Sequence, residues 1–178
     1  EWLERYTFPE EAKYSDRIFS SAKAKQFWKR ILSVGTIGGL CYSSVHEVAL
    51  EEAFKHAPED FYIGNVLMTM NCPEDIRQSP HAACASVENC ANRYKSRYVC
   101  SPRFAPTTCP EAMQASALAA AQHNCFQQTH LGETKSETMW VLDIYSKIKG
   151  FEDVKTYTEI YERCLLYTSD AADELRSV

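Results

Sequence analysis

The chain has 178 residues, of which 24% are charged and 45% are hydrophobic. These proportions are typical of one globular domain and exclude a disordered chain. Its formal net charge is −5, and Lys and Arg are scattered singly among acids, so nucleic acid and anionic membranes are not expected partners. No apolar run approaches the ~18 residues that a membrane-spanning helix needs.

The eight cysteines bear on the cellular compartment. An even number is compatible with disulfides in a small secreted domain. However, Cys41, Cys100 and Cys125 lie in apolar, strand-like runs, where a thiol behaves as a small hydrophobic group. No C-x-x-C pair occurs, so a structural zinc site is not expected. These features favour reduced thiols and a cytoplasmic protein.

Strand-like and helix-like patterns alternate along the chain. A helix-compatible apolar pattern covers residues 15–33, and Gly35 fits its end. Four strands are then predicted at residues 36–45, 60–70, 96–104 and 125–131. The helices that follow them are predicted at residues 46–57, 85–94, 110–122 and 136–148. Residues 72–81 are predicted to form a loop, and residues 151–163 fit either a further strand or a further helix.

The strand–helix pairs recur about every 30 residues, which is the size of a βαβ unit. Nearly continuous apolar strands separated by helices favour a parallel sheet in an α/β fold. Two architectures fit this pattern, a doubly wound sheet and part of an eightfold barrel. A whole barrel needs roughly 250 residues, so the chain offers about four of the eight βα units. No G-x-G-x-x-G or P-loop opens any predicted helix, which counts against a nucleotide-cofactor fold.

In both architectures ligands bind at the carboxyl ends of the strands. His130 lies at the end of the fourth predicted strand and has two interpretations, a structural histidine hydrogen-bonded to a neighbour or a metal ligand. Glu133 comes three residues later, where a carboxylate can accept a proton from a metal-bound water and deliver it. H-x-x-E is a weak signal by itself.

Arg103 and Phe104 end the third predicted strand. The guanidinium fits either a surface ion pair or planar, bidentate hydrogen bonds to a ligand that carries a carbonyl. The Phe104 ring fits either core packing or a contact with the face of a flat ligand ring. The other four histidines are interpreted as structural: His46, His56, His81 and His123.

Four segments together resemble the guanine deaminases, members of the amidohydrolase superfamily of metal-dependent barrels. They are "EWLERYTFPEE" at residues 1–11, "GTIGGLCYSSVH" at 35–46, "SPRFAPTTCPE" at 101–111 and "QTHLGET" at 128–134. The resemblance covers residues 1–163. It implies a partial (β/α)8 TIM barrel of the amidohydrolase type over that range, with about four βα units.

The resemblance also implies roles for individual residues. His130 would be a Zn²⁺ ligand that also contacts the substrate, and Glu133 would be the catalytic proton shuttle. Arg103 and Phe104 would hold the guanine ring. The reaction would be hydrolytic deamination of guanine to xanthine and ammonia by a zinc-activated water. The resemblance further implies a cytoplasmic enzyme of purine breakdown that acts on a small molecule. A homodimer is the oligomeric state considered for the full-length protein.

Only one of the metal ligands that the resemblance implies is present in this chain. An H-x-H pair is expected upstream of Glu1, and later His and Asp ligands are expected beyond the last residue. Tight zinc binding takes three or more protein ligands. The chain by itself is therefore expected to be inactive and to bind zinc weakly.

Residues 164–178 resemble no part of the family. "CLLYTSDAADE" matches a translated sequencing-library adapter, so this tail is predicted to be non-native; a natural amphipathic tail is the alternative. Two alternatives to the function are also open. One is another amidohydrolase deaminase acting on an adenosine-like, cytosine-like or triazine substrate, and the other is a noncatalytic binding module on a decayed barrel.

Overall fold

A sheet of four parallel strands forms the centre of the protein, in a computed structural model that describes residues 2–165. The strands are β1 (Gly39–Ser43), β2 (Phe61–Leu67), β3 (Val99–Pro102) and β4 (Phe126–Gln127). They lie side by side in the order β1-β2-β3-β4, and each neighbouring pair is parallel. The predicted α/β class and the parallel sheet are therefore confirmed.

Helices precede the sheet and connect its strands. The described helices are α1 (Phe8–Ala12), α2 (Arg17–Ser33), α3 (Glu47–His56), α4 (Pro80–Tyr94), α5 (Pro110–His123), α6 (Lys135–Tyr145) and α7 (Tyr157–Leu165). Short polar side chains cap several of them: Asp16 accepts from the Phe19 N–H at 2.7 Å, and Ser79 accepts from the Ala82 N–H at 3.1 Å. Such caps satisfy N–H groups that the first turn of a helix leaves without partners. No helix among residues 2–165 is long and apolar enough to cross a membrane.

Some predicted boundaries were wrong. Residues 72–81 are not a simple loop, because they contain a 3-10 turn at Glu74–Ile76, and α4 already begins at Pro80. The signal for that start was present, since Ser79 is a good cap and proline is favoured at the first helical position. Strand β4 has only two residues where seven were predicted. Residues 151–163, which fitted a strand or a helix, contribute most of α7.

The division predicted after Arg163 falls inside α7. The helix runs to Leu165, and Cys164 within it is only 2% exposed. Residues 166–178 of the predicted tail lie outside the described residues, so its non-native origin stays a prediction.

One large apolar cluster lies between the sheet and the connecting helices. Alternate residues of β2 enter it, as expected for side chains that point to one face of a strand. Its largest members are Phe61, Ile63, Leu67, Trp28, Leu50, Val87 and Tyr98. Full burial of each such aliphatic or aromatic side chain contributes about 1.5–3 kcal/mol. Because α2, α3, α4 and α5 all share this cluster, they pack on the same face of the sheet.

This one-sided packing decides between the two predicted architectures. A doubly wound sheet places helices on both faces and reverses its strand order at a switch point. Here the strand order is sequential, and the connecting helices share one face. That arrangement is the arc of a (β/α)8 barrel, so the predicted partial barrel is confirmed.

The sheet also curves strongly. In a flat sheet, β1 and β4 would lie about 14 Å apart, since neighbouring strands are separated by about 4.7–4.9 Å. Yet Gln128 Nε2 donates to Ser101 Oγ at 2.9 Å and to the Cys41 carbonyl oxygen at 3.4 Å. Gly64 lies in this curve, where a Cβ would come within 1.8 Å of the Val99 oxygen. Only glycine permits such a close approach of β3 to β2.

A network of ion pairs ties the first three long helices together. Arg17 of α2 contacts Glu51 at 2.8 Å and Glu52 at 2.6 Å, both on α3. Arg93 of α4 contacts Glu51 at 2.6 Å, and Lys55 contacts Glu52 at 2.5 Å. The hydrogen bonds from Lys55 and then Arg17 lower the pKa of Glu52 from 4.5 to about 2.

The shifted pKa of Glu52 predicts a pH dependence of stability. Because the folded-state pKa is lowered, the ionised carboxylate contributes stability that is fully present above pH 4.5 and is lost as the pH falls towards about 2. Glu52→Gln should therefore be less stable at neutral pH and should lose less stability over that acid range. Urea unfolding at a series of pH values measures both effects. Glu74→Gln is the control, because Glu74 is in an exposed i,i+3 pair with Arg77, and the stability should change little on its replacement. Equal losses of stability with falling pH for Glu52→Gln and the wild type would contradict the prediction.

Candidate active site

The carboxyl ends of β3 and β4 place two predicted site residues side by side. Arg103 directly follows β3, and its N–H donates to the Leu67 carbonyl of β2 at 3.4 Å. The His130 N–H donates to the Arg103 carbonyl at 3.1 Å. Main-chain pairing thus continues past the strand ends and brings the backbones of Arg103 and His130 into contact.

The imidazole of His130 is held by the same carbonyl. Its Nδ1 lies 2.8 Å from the Arg103 oxygen. A carbonyl oxygen can only accept, so Nδ1 carries the proton, and Nε2 keeps the lone pair of the neutral ring. The half-buried ring also stacks on Tyr42 of β1, with 4.8 Å between centroids and 23° between planes. His130 therefore has both a structural hydrogen bond and a nitrogen that can bind a ligand.

Arg103 also lines a cavity. Its guanidinium lies 5.0 Å from the centre of the Phe104 ring. The cavity has a volume of about 330 Å³, and its lining includes Phe8, Glu11, Tyr14, Tyr42 and Arg103. His130 does not line the cavity. It is adjacent to the cavity because its imidazole stacks on Tyr42, which does line it.

The charge of Arg103 is not neutralised by a close partner. No carboxylate of residues 2–165 forms an ion pair with its guanidinium, so the predicted surface ion pair is not seen. Burial lowers the pKa of Arg103, and the charges of Glu11 and Glu133 oppose that shift. A half-buried guanidinium beside a cavity is well suited to bind a polar, planar ligand.

Glu133 lies on an exposed loop beyond β4, next to Gly132, whose φ of +63° turns the chain. Its charge contributes to raising the pKa of Tyr42 to about 12, after the larger effects of burial and Tyr161. Glu133 thus lies near enough to Tyr42 and Arg103 for its charge to act on both. The Phe104 ring is half-buried and has Trp140 of α6 6.5 Å away between centroids.

Tyrosine hydroxyls fix the loops that carry these residues. The Tyr161 hydroxyl of α7 donates to the His130 carbonyl at 2.8 Å and accepts from the Ala105 N–H at 2.9 Å. It also lies 3.0 Å from Thr129 Oγ1. Tyr145 of α6 donates to the Ala105 carbonyl at 3.0 Å. Tyr42, Tyr145 and Tyr161 were not predicted as site residues, and no local signal marks them because these partners are 30 or more residues away.

The residues described here do not make a complete metal site. Residues 2–165 contain no group of three or more His, Cys, Asp or Glu side chains that could hold a metal ion. His130 fits the role of one imidazole ligand, because its Nδ1–H is fixed on a carbonyl and Nε2 is open. Tight binding of a metal needs further ligands.

Sequence comparison finds guanine deaminases among the relatives of this chain. The chain is 33% identical over 162 residues to guanine deaminase of Escherichia coli K12, a match that covers 86% of this chain and 37% of that enzyme. It is 28% identical over 175 residues to guanine deaminase of Dictyostelium discoideum, covering 93% of this chain and 39% of the relative. The chain matches one segment of the guanine deaminases. It spans less than two fifths of the length of these curated relatives, and no family model matches it.

Solved structures agree with this result. The E. coli guanine deaminase superposes with a TM-score of 0.81 at 28% identity and covers 91% of this chain and 38% of its own. A guanine deaminase from C. acetobutylicum, solved with bound guanine in its active site, gives a TM-score of 0.82 at 24% identity. It covers 93% of this chain and 40% of its own, and at this identity it supports the fold alone. The similarity to guanine deaminases is thus confirmed, and with it the amidohydrolase type of fold, whose members carry a catalytic metal.

The hydrogen bonds of Tyr161 predict a stability effect. Tyr161→Phe keeps the ring but leaves the buried Ala105 N–H without its partner, which should cost about 1–3 kcal/mol in the free energy of unfolding. Tyr157→Phe is a matched control, because Tyr157 stacks on Tyr161 and its hydroxyl does not bind the Ala105 N–H. It should cost less than Tyr161→Phe. Denaturant unfolding of both variants tests the difference, and similar losses for the two would contradict it.

Proposed function

We propose that the protein containing this chain catalyses the hydrolytic deamination of guanine to xanthine and ammonia. The observation that carries the proposal is the juxtaposition of Arg103 and His130 at the strand ends, in a segment 33% identical to E. coli guanine deaminase. Guanine is the substrate named for this E. coli relative, and that supports guanine as the substrate here.

Within this proposal, Arg103 and Phe104 hold the substrate. The guanidinium donates a pair of hydrogen bonds to the guanine carbonyl and ring edge, and its burial strengthens them. The Phe104 ring, 5.0 Å from the guanidinium, offers an apolar face to the purine plane. Together they recognise a flat ligand that carries a carbonyl, which guanine has and adenine lacks.

Glu133 is proposed as the proton shuttle. Its exposed position on a loop beside a glycine gives the carboxylate freedom to approach the reacting atoms. A carboxylate there can take a proton from the attacking water and deliver it to a ring nitrogen. Protonation makes the ring carbon that bears the amino group a better acceptor.

We also propose Zn²⁺ as the metal, with His130 Nε2 as one ligand. Bound zinc supplies a water of lowered pKa. The other ligands are proposed to come from parts of the protein outside this chain, since the chain spans only 37% of its E. coli relative. Cytoplasmic location and a homodimer of the complete protein stay predictions.

The incomplete ligand set predicts the behaviour of this chain by itself. The purified 178-residue chain with added zinc should release no xanthine from guanine and should bind zinc weakly, because one imidazole is available where three or more ligands are needed. Chromatography of the reaction products and titration calorimetry measure the two properties. Clear xanthine release by the isolated chain would overturn the expectation.

The complete protein provides the test of Arg103. Extending the coding sequence recovers it, and an H-x-H pair upstream of Glu1 is expected there. Arg103→Ala should weaken guanine use by about 30- to 150-fold, since the loss of hydrogen bonds from a charged group costs about 2–3 kcal/mol. Arg103→Lys keeps the charge but lacks the planar fork. Its guanine turnover should therefore lie between that of the wild type and that of Arg103→Ala.

The outcomes separate the rival functions. Release of xanthine that depends on Arg103 supports the proposal. Turnover of adenosine-like, cytosine-like or triazine substrates without guanine turnover would show a different deaminase. Absence of the upstream H-x-H pair, together with absence of turnover, would show a noncatalytic module on a decayed barrel.

A further inference from the structure

The imidazole of His130 is restrained from two independent directions. The Arg103 carbonyl accepts from its Nδ1–H at 2.8 Å, and the Tyr42 ring stacks on its face at 4.8 Å. The hydrogen bond lies in the plane of the imidazole, whereas the stack acts on its face. Without the stack the ring can turn about its side-chain bonds and leave the Arg103 carbonyl, which removes the preference for Nδ1–H; without the hydrogen bond the stacked ring can flip. Together they leave one orientation.

We propose that Tyr42 is a positioning residue for His130: its ring and the Arg103 carbonyl together hold the imidazole in the orientation that leaves Nε2 open at the strand ends. This inference rests on the proposed function, in which His130 Nε2 contacts the metal. Tyr42 also lines the cavity beside Arg103, but the role proposed here is exerted through His130.

The register of the sheet explains how Tyr42 reaches His130. Tyr42 in β1 pairs with Gly64 in β2, so no side chain lies directly opposite Tyr42 on that strand. Gly64 cannot carry a side chain, because a Cβ would lie 1.8 Å from the Val99 oxygen. The glycine therefore leaves space on the concave face, and the Tyr42 ring stacks on His130, three residues after β4.

The geometry of the stack is favourable. Aromatic pairs attract when their centroids are about 4.5–7 Å apart and their planes are offset or tilted, and the Tyr42–His130 pair lies at 4.8 Å and 23°. The backbone of His130 is fixed separately, because the Tyr161 hydroxyl donates to its carbonyl at 2.8 Å. Tyr42 therefore acts on the ring of His130, while Tyr161 acts on its main chain.

A simple packing role for Tyr42 makes a different prediction. Tyr42 is 36% exposed, so a leucine at this position would fill the same space at small cost. If Tyr42 only packs, Tyr42→Leu leaves the His130 ring unchanged. If Tyr42 positions the ring, Tyr42→Leu changes it, and Tyr42→Phe, which keeps the aromatic face, does not.

The test is the tautomer of His130, read by ¹⁵N NMR of the 178-residue chain labelled at the histidine ring nitrogens. The buffer is alkaline, so that imidazole is neutral. The wild type and Tyr42→Phe should show mainly the Nδ1–H tautomer. In Tyr42→Leu the ratio of Nδ1–H to Nε2–H should fall by about 2- to 12-fold, the range that corresponds to loss of one aromatic pair.

Tyr62→Leu is the matched control. Tyr62 pairs with Leu40 in register, lies on the same concave face, and contacts Phe126 at 5.1 Å. Its replacement removes an aromatic ring from the same surface without removing the partner of His130. The His130 tautomer should stay as in the wild type. Backbone amide spectra of each variant confirm that the fold is retained.

Two results would overturn the proposal. One is an unchanged tautomer ratio in folded Tyr42→Leu. The other needs no variant: a wild-type His130 that is mainly Nε2–H, or that shows no cross-relaxation with the Tyr42 ring protons.

Guanine turnover by the complete protein is a separate measurement. If the complete protein is inactive but the tautomer shifts in Tyr42→Leu, the deaminase proposal is contradicted and the positioning role is supported. If the complete protein is active but the tautomer is unchanged in Tyr42→Leu, the positioning role alone is contradicted.

Discussion

One backbone oxygen organises the candidate site. The Arg103 carbonyl accepts from the main-chain N–H of His130 at 3.1 Å and from its ring Nδ1–H at 2.8 Å. The first bond extends the parallel pairing of β3 and β4, and the second sets which ring nitrogen keeps its lone pair. The same residue also lines the cavity. A displacement of Arg103 would therefore disturb a proposed ligand-binding group and a proposed metal ligand together.

The curvature of the sheet makes this arrangement possible. Gly64 permits the close approach of β3 to β2, and the connecting helices pack on the opposite, convex face. Residues of β1 and of the segment after β4 then meet across that face, as Gln128 does with Cys41 and Tyr42 does with His130. Helices α6 and α7 hold the outer loops through the hydroxyls of Tyr145 and Tyr161.

The sequence predicted the repeating pattern well because strand and helix periodicity is local. The positions of Arg103 and His130 at adjacent strand ends also followed from the order of the elements, since parallel strands place their carboxyl ends at one edge. The length of β4 was not predictable, because its apolar residues continue the strand pattern although only Phe126 and Gln127 pair with β3. The choice between a doubly wound sheet and a barrel was also open, since it depends on which face each helix covers. Tyr42 and Tyr161 contact residues distant in sequence, and composition and spacing do not reveal such contacts.

The burial of Cys164 has a practical consequence for producing this protein. Its thiol packs among residues of α5, α6 and α7 and is 2% exposed, and burial raises its pKa to about 12. An expression clone trimmed after Arg163 would open a void beside Tyr145 and Ile160, whereas one that keeps Cys164 retains a shielded, unreactive sulfur. The choice of cloning boundary thus decides whether the C-terminal turn of α7 is intact.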